Sequence, residues 1–112
     1  MASLDEVFDL LSKERRRYAL YYLEKEEGPV SVEEVAKQVA EWETNGATGT
    51  IPADKYERIE VELHHNALPK AAEIEFIEYD PAAEVVEATG TPPEVDAIIS
   101  VAKVIERPER NP

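Results

Sequence analysis

Apolar residues along this chain recur mostly at the three- and four-residue spacing of helices, with one stretch of strand-like alternation between residues 74 and 88. Leu4, Val7, Phe8 and Leu11 share one face of a short first helix. Ser3 with Glu6 supplies the capping box that would start it, the hydroxyl and carboxylate each satisfying a backbone N–H that the first turn leaves open. Ser12 is the next candidate cap. From there Lys13 to Lys25 reads as a second helix that buries Ala19, Leu20, Tyr22 and Leu23, with Gly28 and Pro29 as its stop. Ser31 and Glu34 form a second capping box, opening a third helix through Val32, Val35, Ala36, Val39 and Ala40 to about Trp42.

The segment Glu43 to Pro52 holds the turn formers Asn45, Gly46, Gly49 and Pro52 and reads as a loop. A fourth helix follows from about Ala53 to Leu68 or slightly beyond. Pro69 is expected to kink or end it, because the ring clashes with the carbonyl four residues back. Periodicity leaves two buried stripes open for this helix: Val61, His65 and Leu68, or Tyr56, Ile59 and Leu63. Ile74 to Tyr79 alternates as a strand, Asp80-Pro81 begins a turn, and Glu84 to Ala88 returns as a second strand. Thr91-Pro92-Pro93-Glu94 reads as a third capping box, with proline at the first helical position. The helix behind it carries Val95, Ile98, Ile99, Val101, Ala102, Val104 and Ile105. The predicted order is four helices, two strands and a helix. Residues 1–90 form the main domain, 91–106 a C-terminal helix, and 107–112 a polar, frayed tail.

Three helices followed by a β-hairpin is the plan of a winged helix, and the local residues sharpen the likeness. Leu11-Ser12-Lys13-Glu14-Arg15-Arg16-Arg17 resembles the opening helix of ArsR-like winged-helix regulators, and Pro29 to Ala36 resembles the start of their second helix. Trp42-Glu43, His65-Asn66-Ala67-Leu68-Pro69-Lys70 and Glu78-Tyr79-Asp80 resemble a winged-helix family of unknown function that is abundant in haloarchaea. The resemblance covers about residues 4 to 90. It implies an α+β, mainly α, winged helix-turn-helix with an extra short N-terminal helix and a C-terminal helix used for dimerisation. Such domains usually carry an Asp-Ala-Gly turn after Leu-Pro-Lys. Here Ala71-Ala72-Glu73 has no glycine, so the corner into the hairpin is expected to differ.

Charge complicates the implied function. The 112 residues include 25 acidic and 12 basic side chains, a net charge of −13. A nucleic-acid-binding domain ordinarily leans the other way, because it neutralises phosphates. At molar ionic strength the Debye length falls to about 3 Å, so a surface acidic along its whole length suits a salt-rich cytoplasm. The absence of cysteine excludes disulfides, thiol nucleophiles and thiolate metal sites. No apolar run reaches the roughly 20 residues of a membrane span, and the first residues lack a signal-peptide pattern. A cytoplasmic protein is expected.

Candidate chemistry is sparse. Arg15, Arg16 and Arg17 form the densest basic cluster, suited either to phosphate contacts or to ion pairs with neighbouring acids. On the fourth helix, the expected recognition helix, Lys55, Arg58, Glu62 and Asn66 would face DNA if Val61, His65 and Leu68 face the core, with Lys70 beyond its end. Asp54, Glu57, Glu60 and Glu62 outnumber those cations. Glu75, Glu78, Asp80, Glu84 and Glu87 leave the hairpin without a basic residue, so it is not expected to touch DNA. His64 and His65 are adjacent and point about 100° apart, so no metal pair is expected from them. No nucleophile turn or phosphate-cradling glycine loop appears, so neither catalysis nor a cofactor is expected. An aromatic cluster of Tyr18, Tyr21, Tyr22 and Trp42 is assigned to the core before a ligand pocket.

The last helix is apolar nearly all round, which requires burial on two sides. Val95, Ile98, Ile99, Ala102 and Ile105 are its candidate homodimer interface, unless it packs on Leu4, Phe8 and Leu11. The expected function is that of a homodimeric DNA-binding transcription regulator. The competing expectation is a winged-helix protein–protein interaction module that does not bind DNA. Acidic dominance of the fourth helix's outer face would favour the second.

Overall fold

The computed structural model describes residues 3–44 and 51–108. Ser3 begins α1 (Leu4–Leu10) with the expected reciprocal cap: its hydroxyl accepts from the Glu6 N–H, and the Glu6 carboxylate accepts from the Ser3 N–H. α2 (Glu14–Lys25) follows, then a two-residue strand β1 (Val30–Ser31) and α3 (Val32–Glu43), capped by Ser31. Ser12 does not cap α2. Its hydroxyl donates to the Asp9 carbonyl at the end of α1, and Lys13 occupies the cap position without a side-chain bond. The expected turn residues Asn45, Gly46 and Gly49 lie outside the described residues, as does the tail beyond Pro108.

The fourth helix is where the phase question resolves. α4 (Ala53–Glu62) continues into a wider π-helical turn (Leu63–Ala67) and then α5 (Leu68–Ala71). Ile59, Leu63, Ala67, Leu68 and Ala71 are buried, with Tyr56 partly so; Val61 is 56% exposed and His65 is exposed. The stripe of Tyr56, Ile59 and Leu63 is therefore the inward one. The π turn inserts an extra residue, so the Leu68 N–H reaches the Leu63 carbonyl five residues back. Pro69, which has no N–H to place in a ladder, comes immediately after this widening. The helix thus passes the proline and ends at Ala71, beyond the predicted break.

β2 (Ile77–Asp80) and β3 (Val85–Ala88) pair antiparallel, and β1 adds to β3, giving the order β1-β3-β2 with Val30 opposite Val86 and Val86 opposite Tyr79. The first strand was expected from Ile74. Instead Ile74 to Phe76 form turns after α5, with Ile74 and Phe76 still buried. α6 (Pro93–Glu106) starts without the expected Thr91 cap, because the Thr91 hydroxyl donates to Glu24 at 2.8 Å.

Leu20 and Tyr21 of α2, Val32, Val35 and Val39 of α3, Ile59, Leu63, Leu68 and Val86 make the deepest part of the core. Each aliphatic buried this fully contributes roughly 1.5–3 kcal/mol. The result is a mainly helical α+β domain with a small three-stranded antiparallel sheet, an arrangement compatible with a winged helix. α6 divides its apolar residues between two faces. Val95 and Ile99 are buried in this chain's own core, and Ile98 and Ala102 are half-buried. Val101, Val104 and Ile105 are 60–76% exposed. Leu4 and Phe8 are also more than half exposed, so they do not cover that second face.

Candidate nucleic-acid interface

Three successive arginines on a helix point in three directions, and each of these finds a separate partner. Arg15 forks onto Glu43, with both nitrogen–oxygen distances 2.8 Å, and also approaches Glu62 at 3.5 Å. The hydrogen bonds to Glu43 hold its guanidinium above the ordinary arginine range. Arg16 donates to the carbonyls of Asp9 and Leu10 and to the Ser12 hydroxyl, closing the α1–α2 turn. Arg17 forks onto Glu106 at 2.6 and 2.8 Å and donates to the Leu11 carbonyl at 2.7 Å. Tyr21 adds its hydroxyl to Glu106 at 2.6 Å. Arg17 is the main reason that the Glu106 carboxyl lies below the usual carboxylate range. Burial, reinforced by Glu106, pushes the Tyr21 phenol up. These bidentate pairs fasten α2 to α3 and to α6.

Other expected DNA contacts are similarly engaged. Lys55 lies 3.8 Å from Glu43. Lys70 lies 2.7 Å from Asp9 and 3.5 Å from Glu73. Arg58 is the exception: its partner Asp54 is 3.7 Å away, and both side chains are more than 70% exposed. An exposed pair of this kind holds its charges weakly.

Two shallow depressions flank the end of α4 and the π turn, the first facing the start of α2. Lys13, Glu14, Arg15, Arg16, Glu43, Glu62 and Asn66 line one. Glu57, Arg58, Val61, Glu62, His65 and Asn66 line the next. The structure therefore brings together Arg15, Arg16, Arg58, Glu62 and Asn66. It sends Arg17 toward α6 and keeps Lys55 and Lys70 out of both depressions. Asp54 and Glu57 are exposed on the same helix and Glu62 is half-buried, so on α4 itself acid outnumbers the one loosely held cation, Arg58, with Lys13 exposed beside it at the start of α2. No Lys or Arg occurs between positions 71 and 102, so the hairpin adds only negative charge.

The histidines separate as their adjacency requires. His65 is exposed, whereas His64 packs against the hairpin with its Nδ1 2.5 Å from the Tyr79 hydroxyl. Glu60, four residues before His64, and Glu84, at the hairpin turn, bring carboxylate oxygens to within 4.8 Å of a His64 ring nitrogen and of each other. The i, i+4 spacing of Glu60 and His64 is legible in the sequence. Glu84 is not, because only the fold brings it there. Tyr18, Tyr21 and Trp42 are buried, with Tyr18 edge-on to Trp42 at 5.9 Å, so these aromatics pack the α2–α3 joint.

Residues 8–87 match the family described as a domain of unknown function, DUF7344. The chain belongs to the DUF7344 family. The matched region runs from the middle of α1 into β3, so it holds both depressions and the Glu60–His64–Glu84 cluster, while α6 lies outside it. No curated protein and no solved structure matched this DUF7344 chain. Among its described residues no helix is long and apolar enough to cross a membrane.

Proposed function

We propose that this DUF7344 domain is a winged helix that acts as a homodimeric protein-interaction module, suited to a salt-rich cytoplasm. α2, α3 and α4 supply the three helices, β1 the strand between the first two, and β2–β3 the wing. The observation that carries the interaction reading is the disposition of charge. Arg15, Arg17, Lys55 and Lys70 are turned to acids of the same chain, while Asp54 and Glu57 project from the helix that would read DNA. Such a surface leaves few cations to pair with phosphates and, at contact range where salt does not screen, complements a basic protein segment.

Dimerisation rests on α6. Val101, Val104 and Ile105 are spaced i, i+3, i+4 on a face that nothing in the described residues covers. Glu94 and Asp96 lie in the first turn, Lys103 lies in the last, and Arg107 caps the helix. A second copy of α6 packed on this face is the two-fold arrangement that closes a homodimer. Sedimentation equilibrium is expected to give a dimer, and Val101→Asp with Ile105→Asp a folded monomer. A monomeric parent chain would remove this part of the reading.

Specific contact with DNA is the second reading, favoured by Arg58 of α4 and His65 and Asn66 of the π turn standing outward. Gel shifts with genomic fragments at low and molar KCl separate the two. Interaction through protein alone predicts no specific complex at either salt. A sequence-specific complex abolished by Arg58→Ala would overturn it and establish the DNA reading.

A further inference from the structure

We propose that Glu60, His64 and Glu84 form a binding site for a divalent transition-metal ion, joining the π turn to the hairpin. Four observations converge on it. First, ligand atoms of the three residues all lie within 4.8 Å of one another. Glu60 and His64 sit at i, i+4 on one helix face, and Glu84 arrives from the hairpin turn. Second, His64 Nε2 is buried and has no hydrogen-bond partner. Glu84 Oε1 lies 3.5 Å from it without forming a hydrogen bond. A buried polar atom without a partner is uncommon and calls for an explanation.

Third, the other ring nitrogen is already held. When Nε2 carries the free lone pair, Nδ1–H donates to the Tyr79 oxygen, the outer hydrogen bond that fixes tautomer and ring orientation in histidine metal ligands. Fourth, Glu84 has φ +58°, the left-handed region that a non-glycine residue adopts at a cost. Its backbone is pinned there by the Val32 N–H on its carbonyl at 3.0 Å, while its side chain remains 66% exposed and able to swing. Tetrahedral ligands at about 2.1 Å from a metal stand about 3.4 Å apart. The longest separation in the cluster therefore closes by at most about 1.4 Å; Glu84 Oε1 already stands 3.5 Å from His64 Nε2, and the exposed Glu84 and half-buried Glu60 side chains supply the rest.

One imidazole and two carboxylates make a mixed nitrogen–oxygen set. The imidazole selects zinc and its transition-metal neighbours over magnesium and calcium, which prefer all-oxygen shells. Two carboxylates also balance a divalent charge, and among the described residues no Lys or Arg competes for Glu60 or Glu84 in an ion pair. Three protein ligands leave the remaining coordination position to water.

Titration calorimetry of the tag-free chain with Zn²⁺ in KCl tests the site, with Co²⁺ absorption as a second readout of coordination. Saturable 1:1 binding is expected, unaffected by excess Mg²⁺. His64→Gln should weaken it at least about 100-fold, and Glu60→Gln or Glu84→Gln at least about 10-fold. Tyr79→Phe, a change at a positioning residue, should weaken it about 10-fold and alter the Co²⁺ spectrum. His65→Gln should leave it unchanged. Glu84 is exposed, so its variant keeps the test decisive even if His64→Gln fails to fold. Absence of 1:1 binding, equal competition by Mg²⁺, or undiminished Zn²⁺ affinity in Glu84→Gln would overturn the proposal.

Discussion

Leu63→Ala is expected to lower the unfolding free energy by about 3–5 kcal/mol, the cost of removing a fully enclosed leucine and leaving a cavity that its neighbours cannot fill. Leu63 is 0% exposed and opens the π turn. A domain of this size has only about 5–15 kcal/mol of stability in total, so this one truncation would remove a large share. Val61→Ala, two residues earlier on the outward side of the same helix, should change stability by no more than about 0.5 kcal/mol. Urea denaturation at fixed KCl measures both. A loss below about 1 kcal/mol at Leu63, or equal losses at the two positions, would show that the inward stripe of α4 is misassigned. Because His64 follows Leu63 directly, the truncation should also loosen its contact with Tyr79.

Arg17→Ala is expected to cost about 2–4 kcal/mol, well above an ordinary surface ion pair, because it leaves Glu106 without its cation in a partly enclosed setting. The two side chains are 22% and 19% exposed. Arg17→Lys should recover only part of the loss, since an ammonium cannot reproduce the planar two-nitrogen fork onto Glu106. Combining Arg17→Ala with Glu106→Gln should cost less than the sum of the single changes. The pH dependence follows from the lowered Glu106 carboxyl. Its contribution is complete above the unfolded value near 4.5 and disappears as pH falls through the lower folded value. Acid denaturation of Arg17→Ala should accordingly show a weaker dependence on pH in that window. An unchanged acid profile would mean that Glu106 does not depend on Arg17.

The elements legible in the sequence were those whose signals are local. Ser3 with Glu6 and Ser31 with Glu34 needed only a three-residue spacing, and both cap as expected. β1 was missed because two residues carry no alternation. It exists only because Val30 finds Val86 across the sheet. Thr91 failed as a cap because Glu24 competed for its hydroxyl from a distant helix. The phase of α4 was ambiguous because Ile59 and Val61 are equally apolar and because a π turn breaks the 3.6-residue repeat that such reasoning assumes.

The interface was half legible in the same sense. Arg15, Arg16 and Arg17 stand out in the sequence, but their occupation by Glu43, the Leu10 carbonyl and Glu106 depends on contacts 28, 6 and 89 residues away. Without those partners the cluster reads as available for phosphate. With them it is a set of clasps between helices. For the same reason, Val95 and Ile99 drop out of the free face of α6, whereas Val101 and Val104 enter it.

The aromatic joint gives the domain a built-in optical reporter. Trp42 is the only tryptophan, is 6% exposed and lies edge-on to Tyr18 of α2. Its fluorescence therefore originates at a single place, where α3 meets α2. The folded chain should emit at short wavelength, as an indole does when shielded from water, and excitation of the neighbouring tyrosines should feed that emission. Separation of α2 from α3 should shift the spectrum to the red and end the transfer together. The integrity of that helix pair can thus be followed in molar salt without attaching a dye.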